Sequence, residues 1–389
     1  MSPTNLTLCK NILADLVSYD VLGGTSNLSI LDYIIAFLND KNIEFHLVPN
    51  EDMTKASLHC RIGPDAPGGV ILSGHTDVVP VAGQEWHTDP FILTEKEGKL
   101  FARGSCDMKG FLACCLASVD TFLEAPLKKP VYFAFSYDEE VGCLAGPVLA
   151  NAIAKHYDHK PSYAIIGEPS CMQPIIGQKG ICVLETTVLG SAGHSSRIKQ
   201  EVSAVHIAAK LIMWIERKMD SLIQEGRLDE RFSPPHTSLH VGMIQGGIAP
   251  NVIADKCTFY WDVRVIPGDD VHQIVNDFED YCQSVKKEMI VLFPEAEIIT
   301  REDHPPVPPL GTDADSDVVS LIKKITGNAS HSTVAYAAEA GQFSQAGFES
   351  VICGPGDIAQ AHRANEFISI NELEKCMHML HNLAVELSQ

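Results

Sequence analysis

Gly69-Val-Ile-Leu-Ser-Gly74 runs directly into His75-Thr-Asp77. A short apolar run rich in β-branched residues and bounded by glycine reads as a buried strand, and the residues just after such a strand in an α/β sheet lie on the sheet's carboxyl edge. The same pattern recurs along the chain. Pro130-Val-Tyr-Phe-Ala-Phe-Ser136 leads into Asp138-Glu139-Glu140, and Tyr163-Ala-Ile-Ile-Gly167 leads into Glu168. Ser350-Val-Ile-Cys-Gly-Pro-Gly356 comes shortly before His362. A fifth candidate, Asp107, stands in Arg103-Gly-Ser-Cys-Asp-Met-Lys-Gly110, ahead of an apolar stretch (111–123) that reads as a helix. Taken singly these residues have ordinary readings: a histidine at a strand end is a hydrogen-bonded surface group, and an aspartate before a helix is an N-cap. Strand ends converge on one edge, so their joint occurrence reads as a built metal site.

The rest of the chain is consistent with that frame. At 389 residues it exceeds what one hydrophobic core usually serves, so two domains are expected. A formal net charge of −21 argues against a nucleic-acid partner, which needs clustered Lys and Arg. No apolar stretch is long enough to span a membrane, and the N-terminus lacks the pattern of a secretory signal. The twelve cysteines show no paired CxxC spacing, which disfavours a cysteine zinc site and fits a reducing cytoplasm.

Residues 1–181 alternate helical and strand patterns. The character then changes. A strand at 181–189, a helix at 201–223, strands at 236–244 and 254–265, a helix at 269–288 and a short strand at 297–300 give the split βαβ order of a small sandwich. After the proline cluster at 305–309 the α/β pattern resumes with a helix at 313–326, the 350–356 strand and a closing helix from 371. The predicted fold class is α/β. Segments 1–181 and 304–389 form a catalytic domain with a mixed central sheet flanked by helices, and 182–303 form an inserted α+β sandwich.

Two imidazoles and three carboxylates suit zinc or a neighbouring divalent ion. Five ligands are one too many for a single tetrahedral ion, but they fit two ions sharing one bridging carboxylate. Asp77 reads either as the acceptor of the second N–H of His75 or as a turn carboxylate capping the next segment. Glu139 and Glu140 are adjacent, so at a strand end they can diverge, one binding metal while the other faces a water. A carboxylate beside a metal-activated water is the usual general base for amide hydrolysis.

These segments carry a family resemblance. Gly-His75-Thr-Asp77-Val-Val-Pro, Gly-Ser-Cys-Asp107-Met-Lys-Gly, Asp-Glu139-Glu140, Gly-Glu168-Pro-Ser and Ala-His362-Arg-Ala-Asn-Glu resemble, in order, the signatures of a dinuclear zinc hydrolase family. That family includes acetylornithine deacetylase, succinyl-diaminopimelate desuccinylase, aminoacylase and glutamate carboxypeptidase. The resemblance implies that Asp107 bridges two divalent ions, most simply Zn2+ with Co2+ or Mn2+ also admissible. It places His75 and Glu168 at one ion, Glu140 and His362 at the other, and Glu139 as general base beside a catalytic Asp77. It further implies that 182–303 is a lid and dimerisation domain of a homodimer. In it His194 of Ser191-Ala-Gly-His-Ser-Ser196 would reach the partner subunit's site to stabilise an oxyanion. Asn251, Arg264, Glu339 and Gly356 are the implied substrate contacts; read without the resemblance, Arg264 is a strand-surface residue paired with Asp262.

Ala337-Ala-Glu-Ala-Gly341 resembles the Thr-Glu-Ala segment of the acetylornithine deacetylase branch, apart from its first residue. An acid there suits a substrate with a side-chain ammonium, while Arg264 suits the α-carboxylate. The implied reaction is hydrolysis of the acetyl amide of N2-acetyl-L-ornithine, a step of arginine biosynthesis. The same chemistry on another N-acyl amino acid or on N-succinyl-diaminopimelate is the nearest alternative. A non-catalytic metal-binding homologue is the alternative of another class.

Overall fold

The computed structural model describes residues 3–389, which pack as two units. The first comprises the chain up to Gly177 together with Leu310–Thr333 and Ala338–Gln389; the second comprises Gln178–Pro309 and Val334–Ala337.

The first unit is built on a sheet that, among the described residues, has nine strands. Its spatial order runs Phe45–Pro49, Ala56–Ile62, Val131–Ser136, Val70–His75, Tyr163–Pro169, Glu349–Gly354, Ile175–Gln178 and Leu310–Gly311, with Ser332–Val334 beside Ile175–Gln178. Val70–His75 pairs in parallel with Val131–Ser136 and Tyr163–Pro169, which in turn pairs in parallel with Glu349–Gly354. The flanking pairs are antiparallel, so the sheet is mixed. Every residue of Val70–His75 and of Val131–Ser136 is buried, as expected of parallel strands covered on both faces. The four parallel strands are the runs that the sequence marks: Val70–His75 ends at His75, Tyr163–Pro169 carries Glu168 next to its end, and Val131–Ser136 and Glu349–Gly354 end four and eight residues before Glu140 and His362.

Helix Lys109–Ala117 is buried throughout and packs against Pro3–Val17 and Ile370–Leu387. The single helix predicted at 111–123 is in fact two, Lys109–Ala117 and Val119–Glu124. The Ser118 N–H is shared between the carbonyls of Cys114 and Cys115 at 3.1 Å each, a tightening of the last turn that ends the first helix. Gly167 and Gly354 permit the closest approaches in this layer. A Cβ on Gly354 would stand 1.9 Å from the Gly167 carbonyl oxygen, and one on Gly167 would stand 2.1 Å from the Phe111 ring. Gly354→Ala is therefore expected to destabilise the protein by about 1–3 kcal/mol, measurable as a lowered melting temperature.

The second unit is a four-stranded antiparallel sheet in the order Ser238–Gly246, Lys256–Val265, Gly180–Leu189, Glu297–Glu302. Burial along Gly180–Leu189 alternates strictly, so one face of this sheet is covered. Helices Ala204–Gln224 and Val271–Leu292 supply the cover, with Leu211 and Phe278 joining Leu184 and Phe259 in one core. Ser203 and Asp270 cap the two helices by accepting N–H bonds from His206 and His272.

Candidate metal centre

His75 is the last residue of its strand and is 1% exposed. Its Nδ1 lies 2.8 Å from the backbone carbonyl of Asp77, which fixes the ring and points Nε2 at the acidic groups. That Nε2 stands 3.1 Å from Asp107 Oδ1, 3.7 Å from Glu168 Oε1 and 4.0 Å from Glu139 Oε2. His362 Nε2 stands 2.9 Å from Glu140 Oε2 and 3.5 Å from Asp107 Oδ2. One oxygen of Asp107 thus faces each imidazole. Asp107 does not cap the helix after it, whose N-cap is Met108.

The electrostatics of this cluster call for positive charge. Burial and the neighbouring carboxylates push Glu168 well above the usual carboxylate range, and Glu140 is raised for the same reasons. Burial presses the His75 imidazole down, but Asp107, Glu139, Glu168 and Asp77 outweigh it and leave the pKa well above its ordinary value. Hydrogen bonding to Asp107 and Glu140 lifts His362 to about 10. Asp107 is lowered because its two imidazole partners outweigh its burial. His75, Glu139 and Glu168 form one set of donor atoms within 4.8 Å of one another, and His75, Asp107 and Glu140 form another. Hard oxygen and imidazole donors around a shared carboxylate fit two divalent cations, which would supply the missing positive charge.

Glu139 sits among these groups. Burial first, then the charges of Glu140, Asp107 and Glu339, raise its pKa to about 8 despite the opposing effect of His75. The Cys143 thiol donates to its Oε1 at 3.2 Å. Asp77 corrects the sequence reading in one respect. The second N–H of His75 goes to the Asp77 backbone carbonyl, while the nearest carboxylate oxygen, Oδ1, is 3.7 Å from the ring. The carboxylate instead accepts the backbone N–H of Glu139 at Oδ1 and that of Glu140 at Oδ2, each at 3.2 Å. The two-residue spacing returns the backbone carbonyl to the imidazole and frees the side chain to hold the acidic pair. Asp77→Asn leaves one acceptor oxygen where two N–H groups need one each. We expect kcat to fall about 10–100-fold with KM little changed, as steady-state kinetics would show.

Asp138 has a role that its place in an acidic triplet does not announce. It adopts a φ of +56°, and its carboxylate accepts from the Gly24 N–H at 2.8 Å and from Lys55 Nζ at 2.5 Å. This partly buried pair fixes the turn that presents Glu139 and Glu140. Arg103 and Glu366 escape sequence reasoning as well; the available signal is that each lies four residues from a ligand.

The predicted substrate residues are divided between the units, Glu339 and Gly356 in the first and Asn251 and Arg264 in the second. Glu339 is 1% exposed, accepts from the Ser136 hydroxyl at 3.0 Å, and is pushed by burial to about 7. Gly356 serves a turn at φ +93°, with its N–H given to Glu372 and its carbonyl to the Cys171 N–H. Those internal bonds hold Gly356 in the turn. In the second unit, His194 pairs with Val252, and the Ser195 N–H donates to the Asn251 carbonyl, so His194 and Asn251 belong to joined loops. His194 Nδ1 accepts from the Ser196 N–H at 3.2 Å, which leaves Nε2 as the protonated nitrogen of the neutral ring. Arg264 lies 3.3 Å from Asp262, the pairing read from the sequence.

A sequence profile described as Peptidase family M20/M25/M40 matches residues 71–386. Acetylornithine deacetylase of Myxococcus xanthus is 34% identical over 389 residues, covering 98% of this chain and 97% of its own. That of Proteus mirabilis (strain HI4320) is 31% identical over 385 residues, covering 98% and 96%. Among solved structures, the M20 family metallo-carboxypeptidase Sso-CP2 from Sulfolobus solfataricus superposes with a TM-score of 0.78 at 17% identity, covering all of both chains. A dinuclear metal binding peptidase of the M20 family from Bacillus subtilis superposes at 0.65, with 13% identity and 99% of each chain covered. The profile spans most of the sequence and the deacetylases match it almost end to end, so the chain belongs to Peptidase family M20/M25/M40.

Proposed function

We propose that this chain hydrolyses the acetyl amide of N2-acetyl-L-ornithine to L-ornithine and acetate, and so serves arginine biosynthesis. The observation that carries this reading is the end-to-end similarity to acetylornithine deacetylases, held by a chain that gathers His75, Asp107, Glu139, Glu140, Glu168 and His362 in one cluster, of which His362 alone is exposed. Asp107 with His75 and Glu168 would hold one divalent ion, and Asp107 with Glu140 and His362 the second; zinc, cobalt and manganese all suit these donors. Bound there, the ions would bring the pKa of a water to about 7 and polarise the acetyl carbonyl.

The chain's own groups perform the remaining work. Glu139 takes the proton of the attacking water and returns it to the nitrogen as the C–N bond breaks. The Nε2–H of His194 donates to the oxyanion, and we assign this histidine to the partner subunit of a homodimer. Ser238–Gly246 supports that assembly: it is an edge strand of the second unit with Met243 66% and Ile244 55% exposed. Arg264 binds the α-carboxylate through its planar fork and Asn251 assists it, while Glu339, whose Oε1 has no hydrogen-bond partner among the described residues, receives the side-chain ammonium. The inserted unit acts as the closing lid. The twelve cysteines are all free thiols, in keeping with a cytoplasmic location.

The test is kcat/KM on a panel of N-acyl amino acids. N2-acetyl-L-ornithine is expected to lead. A preference for the succinyl over the acetyl substrate of more than about tenfold, roughly 1.4 kcal/mol, would overturn the assignment.

A further inference from the structure

Two loops far apart in sequence carry Asp107 and His362, and each holds the other. Glu366, four residues after His362, is fully buried and accepts the N–H groups of Cys106 at 2.8 Å and Asp107 at 3.1 Å with its Oε1. Its Oε2 accepts from Arg103 Nη1 at 2.7 Å, and Arg103 stands four residues before Asp107. Arg103, 1% exposed, reaches back to the His362 loop by donating to the Arg363 carbonyl at 3.2 Å. Its Nη2 donates to Gln84 Oε1 at 2.6 Å, and Gln84 Nε2 donates to the carbonyl of His362 itself at 2.9 Å. The Trp86 indole N–H also donates to Gln84 Oε1, and the Arg103 guanidinium lies over its ring at 5.2 Å from the centroid. Asn365 completes the frame, accepting from the His87 N–H at 2.8 Å and donating to the Glu85 carbonyl at 3.2 Å.

A buried ion pair with every carboxylate oxygen engaged is a rigid strut, because losing either partner strands a charge in the interior. Here the strut ends on the backbone of both loops. His362 needs such support, since its side chain is more than half exposed and its φ is +61°. No hydrogen bond in this frame touches His75 or Glu168.

We propose that Glu366, Arg103 and Gln84 are positioning residues that set metal affinity by locking Asp107 and His362 in register. Gln84 acts chiefly on the ion held by Glu140 and His362, because it bonds the His362 carbonyl directly and reaches Asp107 only through Arg103 and Glu366, whereas Glu366 governs both ions through the shared Asp107. The proposal rests on the assignment of two ions to this centre. The experiment measures zinc stoichiometry and the two zinc dissociation constants by competition with a fluorescent chelator, on the full-length wild type, Glu366→Gln and Gln84→Ala. Outer partners of metal ligands commonly contribute about 10–100-fold in affinity. Gln84→Ala is expected to keep one ion near wild-type affinity and to bind the second about 10–100-fold more weakly. Glu366→Gln is expected to weaken both. In both variants kcat should recover towards wild type as zinc is raised, with KM for substrate unchanged, which a general loss of fold would not produce.

Wild-type affinity at both positions in Gln84→Ala overturns the proposal, as does equal weakening of both ions in that variant. Should Glu366→Gln fail to fold, Gln84→Ala decides alone, because Gln84 is only partly buried. Wild-type protein that binds fewer than two ions sinks the dinuclear reading instead, so the two failures are distinguishable.

Discussion

Glu139→Gln is expected to retain both metal ions and to lose about 10²–10⁴-fold in kcat, or roughly 3–5 kcal/mol of transition-state stabilisation. The substitution preserves shape and removes the one carboxylate assigned to carry the proton from water to the leaving nitrogen. Glu139 suits that task by position: its carboxylate stands among the ligand candidates, with Oε2 4.0 Å from His75 Nε2, within reach of a water held there. Metal content and kcat must be read together. Unchanged stoichiometry with a collapsed kcat supports the base assignment, and near-normal turnover would remove Glu139 from the mechanism.

Stripping the metal is the second large effect. Dialysis against a strong chelator is expected to bring turnover to background, and zinc, cobalt or manganese should restore it. Stability should fall with activity, since the buried carboxylates at 107, 140 and 168 then face one another with only two imidazoles among them. An ion present at a thousand times its dissociation constant contributes about 4 kcal/mol to the folded state, so the melting temperature of the stripped protein should drop by several degrees. Calorimetry on matched apo and reloaded samples checks this. Turnover that survives chelation would refute the metal centre and the amide-hydrolysis scheme built on it.

The strands that carry the site were legible because parallel strands covered on both faces must be apolar along their whole length. Val70–His75 and Val131–Ser136 therefore announce themselves, and the residue after each run falls on the carboxyl edge. The alternation in Gly180–Leu189 and the long helices of the second unit were legible for the complementary reason, that one face is wet. The break at Ser118 was not, because the chain from 109 to 119 that leads through it is buried throughout and leaves no periodicity to interrupt. The true partner of the His75 N–H also lay outside the sequence's reach. Whether a backbone carbonyl or a carboxylate takes it depends on how the chain turns after the strand, and both belong to Asp77. Lys55, Asp138, Arg103 and Glu366 act across long sequence separations, so no local pattern pairs them.

Strand Glu349–Gly354 lies between Tyr163–Pro169 and Ile175–Gln178, yet it is translated after the whole second unit. At about 5–20 residues per second, a ribosome leaves that slot open for roughly ten to thirty seconds. Through that interval a nascent chain displays two unpaired apolar strand edges and only part of its metal-binding set. The set of ligand candidates is complete only after position 362 has been made, and chaperone demand during synthesis should centre on the exposed seam of the half-made sheet.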